Sequence, residues 1–149
     1  MDNINPEYFA YLESIRDELP DSARGYALDP SHYDLTSHSS LHDACLESFT
    51  VREPAPGDRN QYRSIEIEAI FLGPFHDRRM TLVYKEVQDY NIQSPAELVS
   101  SPCSMGHGDL LVHRFRMEPG RVLVHDLEFC RGTRFVIKCR DFEYREDLL

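Results

Sequence analysis

Between residues 64 and 72 the chain carries its clearest alternation: Ile65, Ile67, Ala69 and Phe71 occupy one set of positions, and Ser64, Glu66 and Glu68 the other. Only an extended strand has a side-chain period of two, so this segment demands a sheet with one dry and one wet face. Further β-rich or alternating runs span residues 44–53, 79–90, 109–117, 121–130 and 133–144. The links Glu118-Pro119-Gly120 and Arg131-Gly132 are short and rich in turn residues, which predicts consecutive antiparallel hairpins. Val87 breaks the alternation of Met80, Leu82 and Tyr84 and marks a bulge.

Ahead of the strands, Asn5-Pro6-Glu7 has the chemistry of a helix start: a capping side chain, a proline pre-set at the first helical position, and an acid near the positive end of the dipole. Tyr8, Leu12, Ile15 and Leu19 then form one apolar stripe, which Pro20 ends. Residues 20–41 carry turn chemistry, with Tyr26, Leu28, Tyr33 and Leu35 as apolar anchors for an ordered segment along the sheet. The charged tail Arg145-Glu146-Asp147 reads as a frayed end. The expected fold is α+β: an N-terminal helix packed on an antiparallel meander sheet of five to six strands, in a single domain 1–149 long enough to bury its own core.

The net charge of −10 is unevenly placed. Residues 1–50 hold ten Asp and Glu against only Arg16 and Arg24, whereas from Arg121 onward six basic residues face six acidic ones. No basic stripe exists to neutralise phosphates, so nucleic acid is not an expected partner. An acidic first third suits steering of a basic protein partner, or simply a solvated surface. The absence of a signal peptide and of a long apolar run predicts a cytoplasmic protein with no membrane partner. The four cysteines are widely spaced and read as reduced thiols.

Seven histidines bring a metal site into consideration, although none has zinc-finger or HExxH spacing. If the two short links are three-residue loops 118–120 and 131–133, His113 faces His125 and His125 faces Cys139, a row across three strands that is a candidate site for zinc or another transition metal. The alternative is a set of histidines at the wet end of the sheet or hydrogen-bonded in the core. The neighbours His42-Asp43, His76-Asp77 and His125-Asp126 are poor general-base pairs, since adjacent strand residues face opposite ways and turns account for the rest. Two loops carry candidate binding residues: His76, Arg78 and Arg79 at one tip, and Cys103 with His107 in a glycine-flanked segment. No phosphate-binding loop, nucleophile elbow, dinucleotide fingerprint or calcium loop is present, so no cofactor is expected.

The stretch Ser39-Ser40-Leu41-His42-Asp43-Ala44-Cys45-Leu46-Glu47 resembles the approach to the first strand in small bacterial β-rich domains, some of which resemble immunity partners of polymorphic toxins. The resemblance covers nine residues and assigns no binding residue. It implies a cytoplasmic, non-enzymatic protein that binds another protein, with homo-oligomers also open. The alternatives are a small metal-dependent enzyme built on the sheet histidines and a small-ligand carrier with a cavity lined by Phe115, Leu127 and Phe135.

Overall fold

The computed structural model describes residues 5–54, 63–95, 97 and 106–149. Among these are two short helices, α1 (Pro6–Ser14) and α2 (Asp21–Ala27), and a 3-10 turn at Pro30–His32. Eight strands follow: β1 (Cys45–Arg52), β2 (Glu66–Leu72), β3 (Arg78–Lys85), β4 (Asp89–Gln93), β5 (Leu110–Glu118), β6 (Val122–Phe129), β7 (Arg134–Cys139) and β8 (Asp141–Leu148). They form two antiparallel sheets, ordered β1-β2-β3-β8 and β4-β7-β6-β5. The α+β class holds in its broad sense, but one meander of five or six strands is replaced by two four-stranded sheets, and the single helix by two.

The reason lies at two corners. Residues 79–90 and 133–144 each have the composition of one strand, yet both bend and change sheet. Glu86 adopts φ 51°, ending β3, and Arg140 separates β7 from β8. The corners lie side by side, with Arg140 N–H donating to Lys85 O at 3.3 Å and Gln88 N–H to Lys138 O at 2.7 Å. Lys85 pairs with Asp141 and Asp89 with Lys138, so one strand takes four steps where its partner takes three. The bulge signalled by Val87 is this extra residue, and it folds a single long ribbon across both sheets. The tail expected to fray continues the ribbon, with Arg145, Glu146 and Asp147 paired to Thr81, Met80 and Arg79.

The dry face of β2 is as expected, with Ile67, Ala69 and Phe71 buried. They belong to one core cluster that joins the sheets face to face. Rings meet across it: Phe49 with Phe135 at 4.8 Å, Phe115 with Phe142 at 5.5 Å, and Phe71 with Phe129 at 6.4 Å between centroids.

Asn5 caps α1 by accepting from the Glu7 and Tyr8 amides at 2.9 and 3.3 Å. Leu12 is buried beneath the helix. Tyr8 and Tyr11 extend to the outer edge of β5, where their hydroxyls accept from Phe115 N–H at 2.7 Å and Met117 N–H at 3.0 Å. Unpaired edge amides invite pairing with other chains, so these tyrosines close an otherwise open edge. Tyr11→Phe is expected to cost about 1 kcal/mol in denaturant unfolding and to raise amide exchange at Met117. Helix α2 lies within the stretch read as turns. Pro20 and Gly25 look like breakers, but Ala23, Tyr26 and Ala27 are buried and the helix packs along β8, so tertiary burial overrides propensity.

Candidate functional site

The β5–β6 link is residues 119–121 rather than 118–120, because Gly120 and Arg121 both take left-handed conformations (φ 86° and 59°). At the next link Phe129 N–H donates to Thr133 O at 2.9 Å, closing a loop over residues 130–132 instead of 131–133. Each change displaces the pairing by two residues, which preserves the face and alters the partner. His113 therefore lies opposite Leu127, His125 opposite Phe115 and Ile137, and Cys139 opposite Leu123. The directly opposed row His113-His125-Cys139 is not formed, although all three side chains are buried between the sheets.

What forms instead is a hydrogen-bonded chain. Tyr84 Oη on β3 lies 2.7 Å from His125 Nδ1 on β6. His125 Nε2 lies 3.0 Å from His113 Nδ1 on β5, and His113 Nε2 lies 3.0 Å from the carbonyl oxygen of His32. The last contact fixes every proton, because a carbonyl only accepts. His113 must carry hydrogen on Nε2; when neutral it then accepts at Nδ1, so His125 donates from Nε2 and accepts at Nδ1, where Tyr84 O–H donates. All four groups are satisfied with both imidazoles neutral.

Packing enforces that state. Phe115 stacks flat on His125 at 3.9 Å, and Tyr33 stacks on His113 at 4.6 Å, with interplanar angles of 7° and 3°. Burial depresses His113 to about 4 and holds His125 well below the ordinary imidazole range. Burial also pushes the Tyr84 hydroxyl well above its ordinary value. His32 is stacked on Tyr26 at 3.9 Å and is likewise lowered by burial.

The facing nitrogens of His113 and His125 are thus occupied by each other and by Tyr84 and the His32 carbonyl. Cys139 is a buried free thiol pushed up to about 12 by burial, the opposite of the lowering that metal ligation or nucleophilic attack requires. Among the described residues no three His, Cys, Asp or Glu side chains are placed to hold an ion. Phe115, Leu127 and Phe135, the residues considered as a cavity lining, are buried in the core instead, with Phe135 also 5.1 Å from Phe129.

The other candidates do not converge with this chain. Asp77 sits at the centre of one loop tip, accepting from Arg78 Nε at 3.1 Å and contacting His38 Nδ1 at 2.6 Å. Arg78 and His38 hold the Asp77 carboxyl down to about 2. Arg79 donates to Glu47 at 2.8 Å, so both arginines expected to make outside contacts bind the protein to itself. His76 is exposed with φ 58°, beside Phe75, whose ring stacks on His38. His107 Nδ1 lies 2.8 Å from the hydroxyl of buried Thr133, and Cys103 falls outside the described residues. Cys45 is a free thiol pushed up to about 11 by burial and by Asp109, whose Oδ1 is 3.3 Å away.

Between α1 and the β5 edge lies a cleft of about 170 Å³ lined by Tyr8, Tyr33, Leu35, His42, His113 and Arg114. Asp43 is left-handed (φ 67°) and brings Oδ2 within 3.2 Å of His42 Nδ1, which makes no hydrogen bond among the described residues. His113 presents only its ring to this cleft, since both its nitrogens are used within the core.

Sequence reasoning overlooked Tyr84 and His32. A signal for Tyr84 exists: a tyrosine in register with Met80 and Leu82 on a dry face needs a buried partner for its hydroxyl, and inner-face histidines on the other sheet are such partners. The His32 carbonyl has no sequence signal. Compared with protein-family models, curated proteins and solved structures, the chain matches none.

Proposed function

We propose that this chain is a non-enzymatic, cytoplasmic protein-binding module of bacterial type that presents its acidic N-terminal layer to a basic surface on a partner. One observation carries the reading: both cations of that layer are consumed internally. Arg16 pairs with Glu13 at 3.1 Å; Arg24 pairs with Asp21 at 2.9 Å and also donates to the carbonyls of Arg16 and Leu19. Glu7, Asp17 and Glu18 remain exposed, without an ion pair among the described residues. Charges held this way act at long range, accelerating encounter with an oppositely charged surface. The resemblance at residues 39–47 points to the same class. The closed histidine chain supports it from the other side, since its nitrogens offer nothing to a substrate.

The test compares the wild type with the variant E7Q/D17N/E18Q as bait in lysate of the source cells, followed by binding kinetics on the retained protein. The expected result is a basic partner held by the wild type, with an association rate that falls on the order of tenfold from low to physiological salt and falls similarly in the variant. Equal capture by both, with rates indifferent to salt, would refute steering by this layer.

A further inference from the structure

The four sheet edges are treated unequally. The edge of β5 is closed by Tyr8 and Tyr11, and β8 lies along α2 and bears Glu143, Arg145, Glu146 and Asp147. Strand β1 carries a bulge between Leu46 and Ser48. Strand β4, Asp89-Tyr90-Asn91-Ile92-Gln93, has no proline, no basic residue and no register shift against β7. Its two apolar residues are oriented with the core, opposite Ile137 and Phe135, yet stand 41% and 45% exposed. Among the described residues no strand pairs with this edge, and natural sheets rarely leave such an edge open.

The direction of its free backbone groups follows from the ladder. Phe115 N–H points outward from β5, and Phe129 N–H bonds Thr133 O, which fixes Phe135 and Ile137 as bonded to β6 and Val136 as bonded to β4. Asn91 therefore bonds inward to Val136, and the N–H and C=O of Tyr90 and Ile92 face out from the sheet edge.

We propose that two copies of this chain pair through β4, antiparallel and centred on Asn91, joining their β4-β7-β6-β5 sheets into one continuous sheet. Only that register pairs all five residues of the strand with the second copy. Tyr90 faces Ile92 of the second copy, so their outward backbone groups satisfy one another and an aromatic ring meets a β-branched side chain. Asp89 faces Gln93, so the one charge of the strand never meets its like, and Asn91 faces Asn91. The edge is short, so the dimer is weak and concentration-dependent. Because each chain carries −10, added salt tightens it.

Sedimentation velocity on the full chain from low micromolar to submillimolar concentration is the test. The expected result is a rise toward twice the monomer mass, stronger in salt. Y90K and I92P are expected to sediment as monomers throughout; the proline removes an amide that points away from β7, so the internal ladder and circular dichroism stay as in the wild type. Asn91→Cys is expected to cross-link to itself on oxidation, because the two copies of that position oppose each other at the axis. A monomeric wild type at the highest concentration would overturn the proposal, as would a dimer undiminished in folded Y90K and I92P or an Asn91→Cys variant that does not cross-link.

Discussion

Between pH 7 and pH 5 the protein is expected to lose about 2 kcal/mol of stability through His113 alone. The folded state holds this imidazole at about 4, against an ordinary value of 6.5 in the unfolded chain. Below 6.5 the unfolded chain takes up a proton that the folded chain refuses, so stability is intact above that value and drains away down to about 4. His125 and His32 are shifted in the same direction and add to the loss. The physical cause is the fixed direction of the chain: a proton on His113 Nδ1 would point at the proton on His125 Nε2. Carboxylates do not confuse the window, because Asp77, Glu13 and Glu118 are lowered from already low values and matter only in stronger acid. Urea unfolding at pH 7, 6 and 5 reads the slope directly, and a flat profile would mean that the imidazoles are not held neutral.

Cutting the chain is expected to cost more at its middle than at its end. Tyr84→Phe strands His125 Nδ1 without a donor and is expected to cost about 2 kcal/mol. His125→Ala strands both the Tyr84 hydroxyl and His113 Nδ1 and opens a cavity beneath Phe115, for about 4 kcal/mol. The two losses share one hydrogen bond, so the double variant is expected to fall short of their sum by about 1 to 2 kcal/mol. Strict additivity in urea unfolding would show that Tyr84 and His125 do not act as a unit.

Periodicity and turn chemistry made much of this architecture legible. Ile67, Ala69 and Phe71 were assigned to the dry face by alternation alone, and the Asn5 cap and Pro6 start by residue type. What alternation could not reveal was where a strand changes sheet, since the pattern of residues 79–90 and 133–144 runs on through Glu86 and Arg140. A left-handed φ at a glutamate has no sequence signature. The links at 119–121 and 130–132 were each displaced by one residue, the first for the same reason: Arg121 adopts a conformation expected of glycine. That displacement turned an opposed row of His113, His125 and Cys139 into a diagonal pair and left Cys139 aside. Inner-face position was readable; partnership was not, because it depended on Tyr84 in the other sheet and on the His32 carbonyl, far off in sequence.

The most direct measurement is the long-range nitrogen–proton correlation spectrum of the seven histidines at pH 7. A closed chain ending on a carbonyl requires His113 and His125 to be neutral with hydrogen on Nε2 and none on Nδ1. Finding either ring as an imidazolium, or with its proton on Nδ1, would contradict the chain and reopen these histidines to catalytic or metal chemistry.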